Sequence, residues 1–211
     1  MFIERLSNEF YPIGRDRKRM KADFIGEDPS WLVMPLGVTR VNNGFQTSGV
    51  HKIESVPIVA ANIAMIGFGV GNWRLHSESS TPSMKLVNTD GTREIGLYTE
   101  SEITYFRYIV NGTTVYEDDE VMVGSNGIRK SMFVASQSTP YGVRPKNIAI
   151  YLLPETGYFH VVRNGSVIYS RSNLKTINTT GVDWSGTWKF VVESNGQMNG
   201  SSIEMMMEQD I

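Results

Sequence analysis

The 211-residue chain has no cysteine. Disulfides, thiolate metal sites and cysteine nucleophiles are thereby excluded, and the composition suits a reducing compartment. Long apolar runs are missing too. None approaches the roughly 20 residues that a helix needs to span a bilayer, so no membrane insertion is expected. The N-terminus, MFIERLSNEFYPIGRDRKRMK, lacks the apolar region of a secretory signal, and its charges follow its apolar residues instead of preceding them. Charge of one sign is not in excess. Twenty basic and 22 acidic residues leave a formal charge of −2, too little to draw the chain to nucleic acid or anionic lipid.

The usual marks of catalysis and cofactor binding are also absent. His51, His76 and His160 stand far apart, none with a second histidine at metal-ligand spacing. No GxSxG elbow supports a serine triad. GFGVGNW (67–73) lacks GxGxxG spacing and a following helix to receive a phosphate, and reads as a strand that another backbone approaches closely. EDDE (117–120) lacks the spacing of a calcium loop and reads as a solvated loop. No catalytic residue, metal or cofactor is expected. Capped helical periodicity is nearly missing, and Phe2 to Phe10 is the one candidate helix.

What the chain does have is apolar residues at 40% and charged residues at 20%, the balance of a globular protein with a real core. Short β-branched and aromatic runs are divided by Asn-Gly and Asp-Gly pairs: NNG at 42, TDG at 89, VNG at 110, SNG at 125 and 194, RNG at 163 and MNG at 198. Such pairs accept the positive φ angles of two-residue hairpin loops. With no secretory signal expected, the sequons at Asn111, Asn164, Asn178 and Asn199 are read as turn residues. Trp188, Phe190 and Val192 alternate with Lys189 and Val191 to give one buried face. Ile203, Met205 and Met207 alternate with Glu204, Met206 and Glu208 as a closing strand. Ile63 to Phe68 is apolar on both faces and therefore central. The expected fold is an all-β antiparallel sandwich of jelly-roll type over 31–211. Residues 1–30, charged and without alternation, read as an irregular N-terminal arm. Within it Arg15, Arg17, Lys18 and Arg19 form a basic segment for docking a partner.

One stretch occurs nearly twice. IGLYTESEITYFRYIVNGTTVY (95–116) lies over IAIYLLPETGYFHVVRNGSVIY (148–169) with eight identities at an offset of 53. Chance gives about one or two on average residue frequencies. With Asn164-Gly165 as a two-residue loop, Arg163 faces Ser166, Val161 faces Ile168 and His160 faces Tyr169. Alternation then sets Phe159, Val161 and Ile168 on an inner face, with Tyr158, His160 and Tyr169 outside. The first copy divides alike: Phe106, Tyr108 and Val115 inside, and Tyr105, Arg107 and Tyr116 outside. A tyrosine–base–tyrosine surface suits either a covered, half-buried contact between subunits or a platform on which sugar rings stack. Trp184, in DWSGTW, either flanks such a sugar site or edges the core around Trp188.

The segment IAIYLLPETGYFHVVRNGSVIY resembles strands of lectin-like sandwiches of the concanavalin A, laminin-G and SPRY kind. A cysteine-free, Gly/Asn-rich all-β chain with a charged N-terminal arm is similar in style to virion proteins of tailed bacteriophages: tail, collar or decoration proteins. That likeness implies a non-enzymatic structural or attachment protein, assembled in the host cytoplasm into the virion. Its partners would be copies of itself, other virion proteins and a host surface glycan. The alternative is a soluble carbohydrate-binding module, in which the tyrosine platform is exposed.

Overall fold

The Asn-Gly pairs form the loops that their backbone freedom permits. Asn111 and Gly112 adopt φ of 50° and 74°, and Asn164 and Gly165 adopt 52° and 82°, the doubly left-handed geometry that closes a two-residue hairpin. The computed structural model describes residues 16–22, 30–41, 44–61, 63–75, 81–100, 103–118 and 146–209. Among these, seventeen strands form two antiparallel sheets, as the sequence led us to expect. The expected helix over Phe2 to Phe10 lies outside the described residues.

The front sheet has nine strands. They are β1 (Asp16–Ala22), β3 (Val38–Val41), β4 (Gly44–Thr47), β7 (Ile63–Leu75), β12 (Lys146–Leu153), β13 (Tyr158–Arg163), β14 (Ser166–Arg171), β16 (Met198–Gly200) and β17 (Ser202–Gln209). The back sheet has eight: β2 (Leu32–Val33), β5 (His51–Ser55), β6 (Ile58–Val59), β8 (Ser83–Asn88), β9 (Arg93–Glu100), β10 (Ile103–Val110), β11 (Thr113–Asp118) and β15 (Thr187–Ser194). The long strand β7 is central. It pairs with β12 on one side and with β17 and then β16 on the other.

Alternation decides which side chains enter the core. Ile66, Phe68 and Val70 of β7, Ile148, Ile150 and Leu152 of β12, and Ile203, Met205 and Met207 of β17 meet Met84, Leu86, Ile95, Leu97, Trp188, Phe190 and Val192 of the back sheet. The intervening residues make a second apolar cluster on the other side of the front sheet: Met65, Ala149, Tyr151, Leu153, Val162 and Met206. Glycine lets this central strand sit close to its neighbour. A Cβ on Gly69 would lie 2.5 Å from the Ile148 carbonyl oxygen and 2.9 Å from the Ala149 Cβ, which fulfils the close approach expected of GFGVGNW.

The segment read as an irregular arm is partly a strand. Asp16–Ala22 pairs along β17, with Arg17 opposite Glu208 and Lys21 opposite Glu204. Its charged sequence carries no apolar alternation; pairing along β17 decides its conformation. Arg15 lies outside the described residues, and Arg17, Lys18 and Arg19 are strand positions of the front sheet.

The two sequence copies lie in different sheets. β9, β10 and β11 form one rim of the back sheet, and β12, β13 and β14 the same rim of the front sheet. Equivalent residues meet between them: the Phe106 and Phe159 rings stack with centroids 3.7 Å apart and planes 8° from parallel. Each hairpin also carries a bulge that the two-residue loop does not reveal. Tyr108 pairs with Tyr116, and Ile109 with Thr114, so Val115 is extra. Val161 pairs with Tyr169, and Val162 with Val167, so Ile168 is extra. One extra residue reverses the alternation beyond it. Tyr116 and Tyr169 therefore turn inward, not outward as expected, and His160 faces Ser170 instead of Tyr169.

Both inward tyrosines converge on Asp118, which the sequence placed in a solvated loop. Asp118 lies at the end of β11 with its side chain only 10% exposed. The Tyr116 hydroxyl donates to its Oδ2 at 3.1 Å, the Tyr169 hydroxyl donates to the same oxygen, and Arg171 Nε lies 3.4 Å away. This carboxylate joins the rims of the two sheets. Hydrogen bonds to a charged group contribute about 1.5–3 kcal/mol each, and a stranded buried partner adds to the loss. Asp118→Ala is expected to cost about 3 kcal/mol in urea denaturation, and Tyr169→Phe about half of that. A cost below about 0.5 kcal/mol for Asp118→Ala would show that the clasp is dispensable.

Candidate functional site

The residues expected on the outer tyrosine–base–tyrosine faces of the two hairpins are dispersed. Tyr105 and Arg107 stand on the outer face of the back sheet, and Tyr158 and His160 on the outer face of the front sheet, so the whole sandwich separates them. Arg107 is fully engaged. Its guanidinium pairs with Glu100 at 2.5 Å and Glu117 at 2.6 Å and lies over the Tyr105 ring at 4.4 Å and the Tyr98 ring at 5.7 Å. Burial opposes the charge on Glu100 only weakly beside its hydrogen bonds to Arg107, which hold that carboxyl below the usual range. Trp184 is half-buried and packs on Trp188, whose indole donates to the Trp184 carbonyl at 3.3 Å. It edges the core.

The rest of the back sheet's outer face is a ladder of charges across strands. Lys85 Nζ sits 2.8 Å from Glu94 and 2.6 Å from Glu193, under the Tyr98 ring. Burial disfavours the Lys85 ammonium, but hydrogen bonds and charge from Glu193 and Glu94 outweigh this and push its pKa up. Burial likewise opposes ionisation of Glu94, and Lys85 outweighs it, so the Glu94 carboxyl titrates below its ordinary value. The two shifts fix the pH dependence. Glu94 contributes stability that is present above the ordinary carboxylate pKa of about 4.3 and lost as pH falls through the lowered value. Lys85 contributes stability that is present below about 10.4 and lost as pH rises through the raised value. Lys85→Met should therefore flatten the loss of melting temperature between pH 6 and 3 relative to wild type. Parallel curves for the two proteins would contradict this.

The front sheet's outer face holds the residues that the sequence reading passed over. Glu204, Met206 and Glu208 alternate with the core residues of β17 and so project from this face. All three are buried: Glu204 is 2% exposed, and Met206 and Glu208 are 0% exposed. Their neighbours across the sheet are regular. Glu204 is opposite Gly69, Met206 opposite Gly67 and Glu208 opposite Met65. Gly69 in turn faces Ala149, and Gly67 faces Tyr151. On β7, Glu204 thus has a glycine beside it and Glu208 the buried Met65, while on the other side β1 sets Lys21 opposite Glu204 and Arg17 opposite Glu208. Two buried carboxyl groups, four residues apart on one strand, form the principal chemical feature of this face. Sequence alternation had already set Glu204 and Glu208 opposite the core. The signal for burial was Met206 between them, since an apolar residue at the middle of an outward row points to a covered face.

His160 faces Tyr151 on this same side and is 8% exposed. Burial lowers its pKa, which favours the neutral ring. Tyr158 is 43% exposed, and its ring lies nearly parallel to that of His160, 9° apart with centroids at 5.9 Å. Among the described residues no group of three or more histidine, aspartate or glutamate side chains could hold a metal ion.

No protein-family model and no curated protein matches the chain. Solved structures do. An endo-β-1,3-glucanase from Pyrococcus furiosus superposes with a TM-score of 0.59 at 7% identity, covering 91% of this chain and 94% of that one. The catalytic domain of an endo-1,3-β-glucanase (laminarinase) from Thermotoga petrophila gives 0.58 at 8% identity, covering 93% and 100%. β-Agarase B from Zobellia galactanivorans gives 0.55 at 9% identity, covering 81% and 77%. The fold is the jelly-roll sandwich of these glycoside hydrolases. This corrects the expectation of a non-enzymatic chain, which was drawn from missing sequence motifs: the fold is one that these solved enzymes share.

Proposed function

We propose that this chain binds a linear β-linked polysaccharide on the outer face of the front sheet and hydrolyses it with Glu204 and Glu208. The observation that carries this reading is the pair of glutamates projecting from one face of β17, in a jelly roll shared with a β-agarase and two β-1,3-glucanases. Glycoside hydrolysis needs two carboxyl groups. One protonates the leaving oxygen as the glycosidic bond breaks, and the other attacks the sugar or activates the water that ends on it. Residues i and i+4 of a strand have α-carbons about 13 Å apart. Working carboxyl pairs stand roughly 5–9.5 Å apart, which two flexible glutamate side chains at that spacing can reach.

Support is chemical as well as architectural. Both glutamate side chains project from the same face of β17, four residues apart, with the buried Met206 between them. A virion setting, with self-association and other virion proteins as partners, rests on composition and layout. Glycan recognition at this face is what attachment to a host surface would use. The test is to incubate the purified protein with laminarin and with agarose and to measure both reducing ends and retardation in polysaccharide-containing native gels. Release of reducing ends from either polymer is expected. A protein that neither releases them nor is retarded would overturn the reading.

A further inference from the structure

The outer face of the front sheet is closed over the glutamates but open at one lip. Leu152 and Met207 both face Ile66, so the next row runs Leu153, Met65 and Glu208, and Leu153 is paired with Tyr158. Along this row exposure changes abruptly. Glu208 and Met65 are 0% exposed and Leu153 is 3% exposed, whereas Tyr158 is 43% exposed. Three strand spacings, about 14 Å, separate Tyr158 from Glu208.

The Tyr158 ring is also held in place. His160, two residues on and on the same face, lies parallel beneath it. A braced, solvent-facing aromatic plane loses little rotamer freedom when something flat settles on it. Its counterpart in the first sequence copy is in a different condition. The Tyr105 ring carries the Arg107 guanidinium at 4.4 Å, and Arg107 is held there by Glu100 and Glu117. The duplication therefore made two tyrosine–base pairs, and only the second leaves its ring open.

We infer that Tyr158 is the docking lip of the glycan site: a sugar ring of the polysaccharide stacks on it at the open end of the row that Glu208 closes. This rests on the proposed glycan-binding face, but it fails separately. The experiment measures laminarin and agarose affinity for wild type, Tyr158→Ala, Tyr158→Trp and Tyr105→Ala by retardation in native gels. Circular dichroism and melting temperature confirm that each variant is folded. Tyr158→Ala is expected to weaken binding by about tenfold, the scale of one aromatic stacking contact, and Tyr158→Trp to retain it. Equal affinities for wild type and Tyr158→Ala, or equal losses for Tyr158→Ala and Tyr105→Ala, overturn the inference. Binding that depends on Tyr158 without release of reducing ends upholds the inference and removes the hydrolytic part of the proposed function. Hydrolysis with affinity indifferent to Tyr158 does the reverse.

Discussion

Glu204→Gln and Glu208→Gln are each expected to reduce polysaccharide cleavage by about a thousandfold or more, with little change in polysaccharide retardation. A positioned acid or base contributes roughly 10²–10⁴-fold, and a pair acting as a unit loses most of its effect when either member is removed. Glutamine keeps the volume of glutamate, so the buried rows of β17 stay filled while the proton-transferring oxygen is lost. The variants should therefore melt within a few degrees of wild type. Stability and activity then separate the roles. If both variants fold and still cleave, the two glutamates are structural. If only one loses activity, the second carboxyl group of the reaction lies elsewhere on the face. Met206→Leu is the internal comparison, because it alters packing between the two glutamates and leaves both carboxyl groups in place.

The contrast between what the sequence showed and what it hid turns on single residues. The hairpins were legible because Asn111-Gly112 and Asn164-Gly165 have few other uses: their positive φ angles dictate the loop. The faces of Phe106, Phe159, Tyr158 and His160 followed by alternation from those loops. The faces of Tyr116 and Tyr169 did not, because Val115 and Ile168 are ordinary strand residues and nothing in their chemistry announces a bulge. The bulge in β14 turns Tyr169 inward, where its hydroxyl donates to Asp118 across the rim. The dispersal of the expected outer faces has a similar origin. Sequence likeness showed that two hairpins were alike, while strand order decides which sheet each one joins. The glutamates of β17 were visible as alternation and were passed over because charge at an outward position is normally solvated. Burial of that face depends on contacts far apart in the chain.

The duplication also predicts where the sandwich is most sensitive. Phe106 and Phe159 are both fully buried, and they are the equivalent residues at which the two copies touch. Either phenylalanine changed to alanine should destabilise the protein by about 3–5 kcal/mol, the cost of removing a large buried ring and leaving a cavity. The stack is nearly face to face, an arrangement that the ring quadrupoles do not favour. Its contribution therefore comes from excluded water and dispersion, not from a specific ring–ring attraction. Leucine at one of the two positions should consequently recover more than half of the loss, since it refills most of the volume. The double alanine variant should cost less than the sum of the single ones by about 1 kcal/mol or more, because both truncations open the same cavity. Urea denaturation of the four proteins provides the cycle. Strict additivity would mean that the copies stabilise their own sheets independently, and the contact between them would then be incidental to the fold.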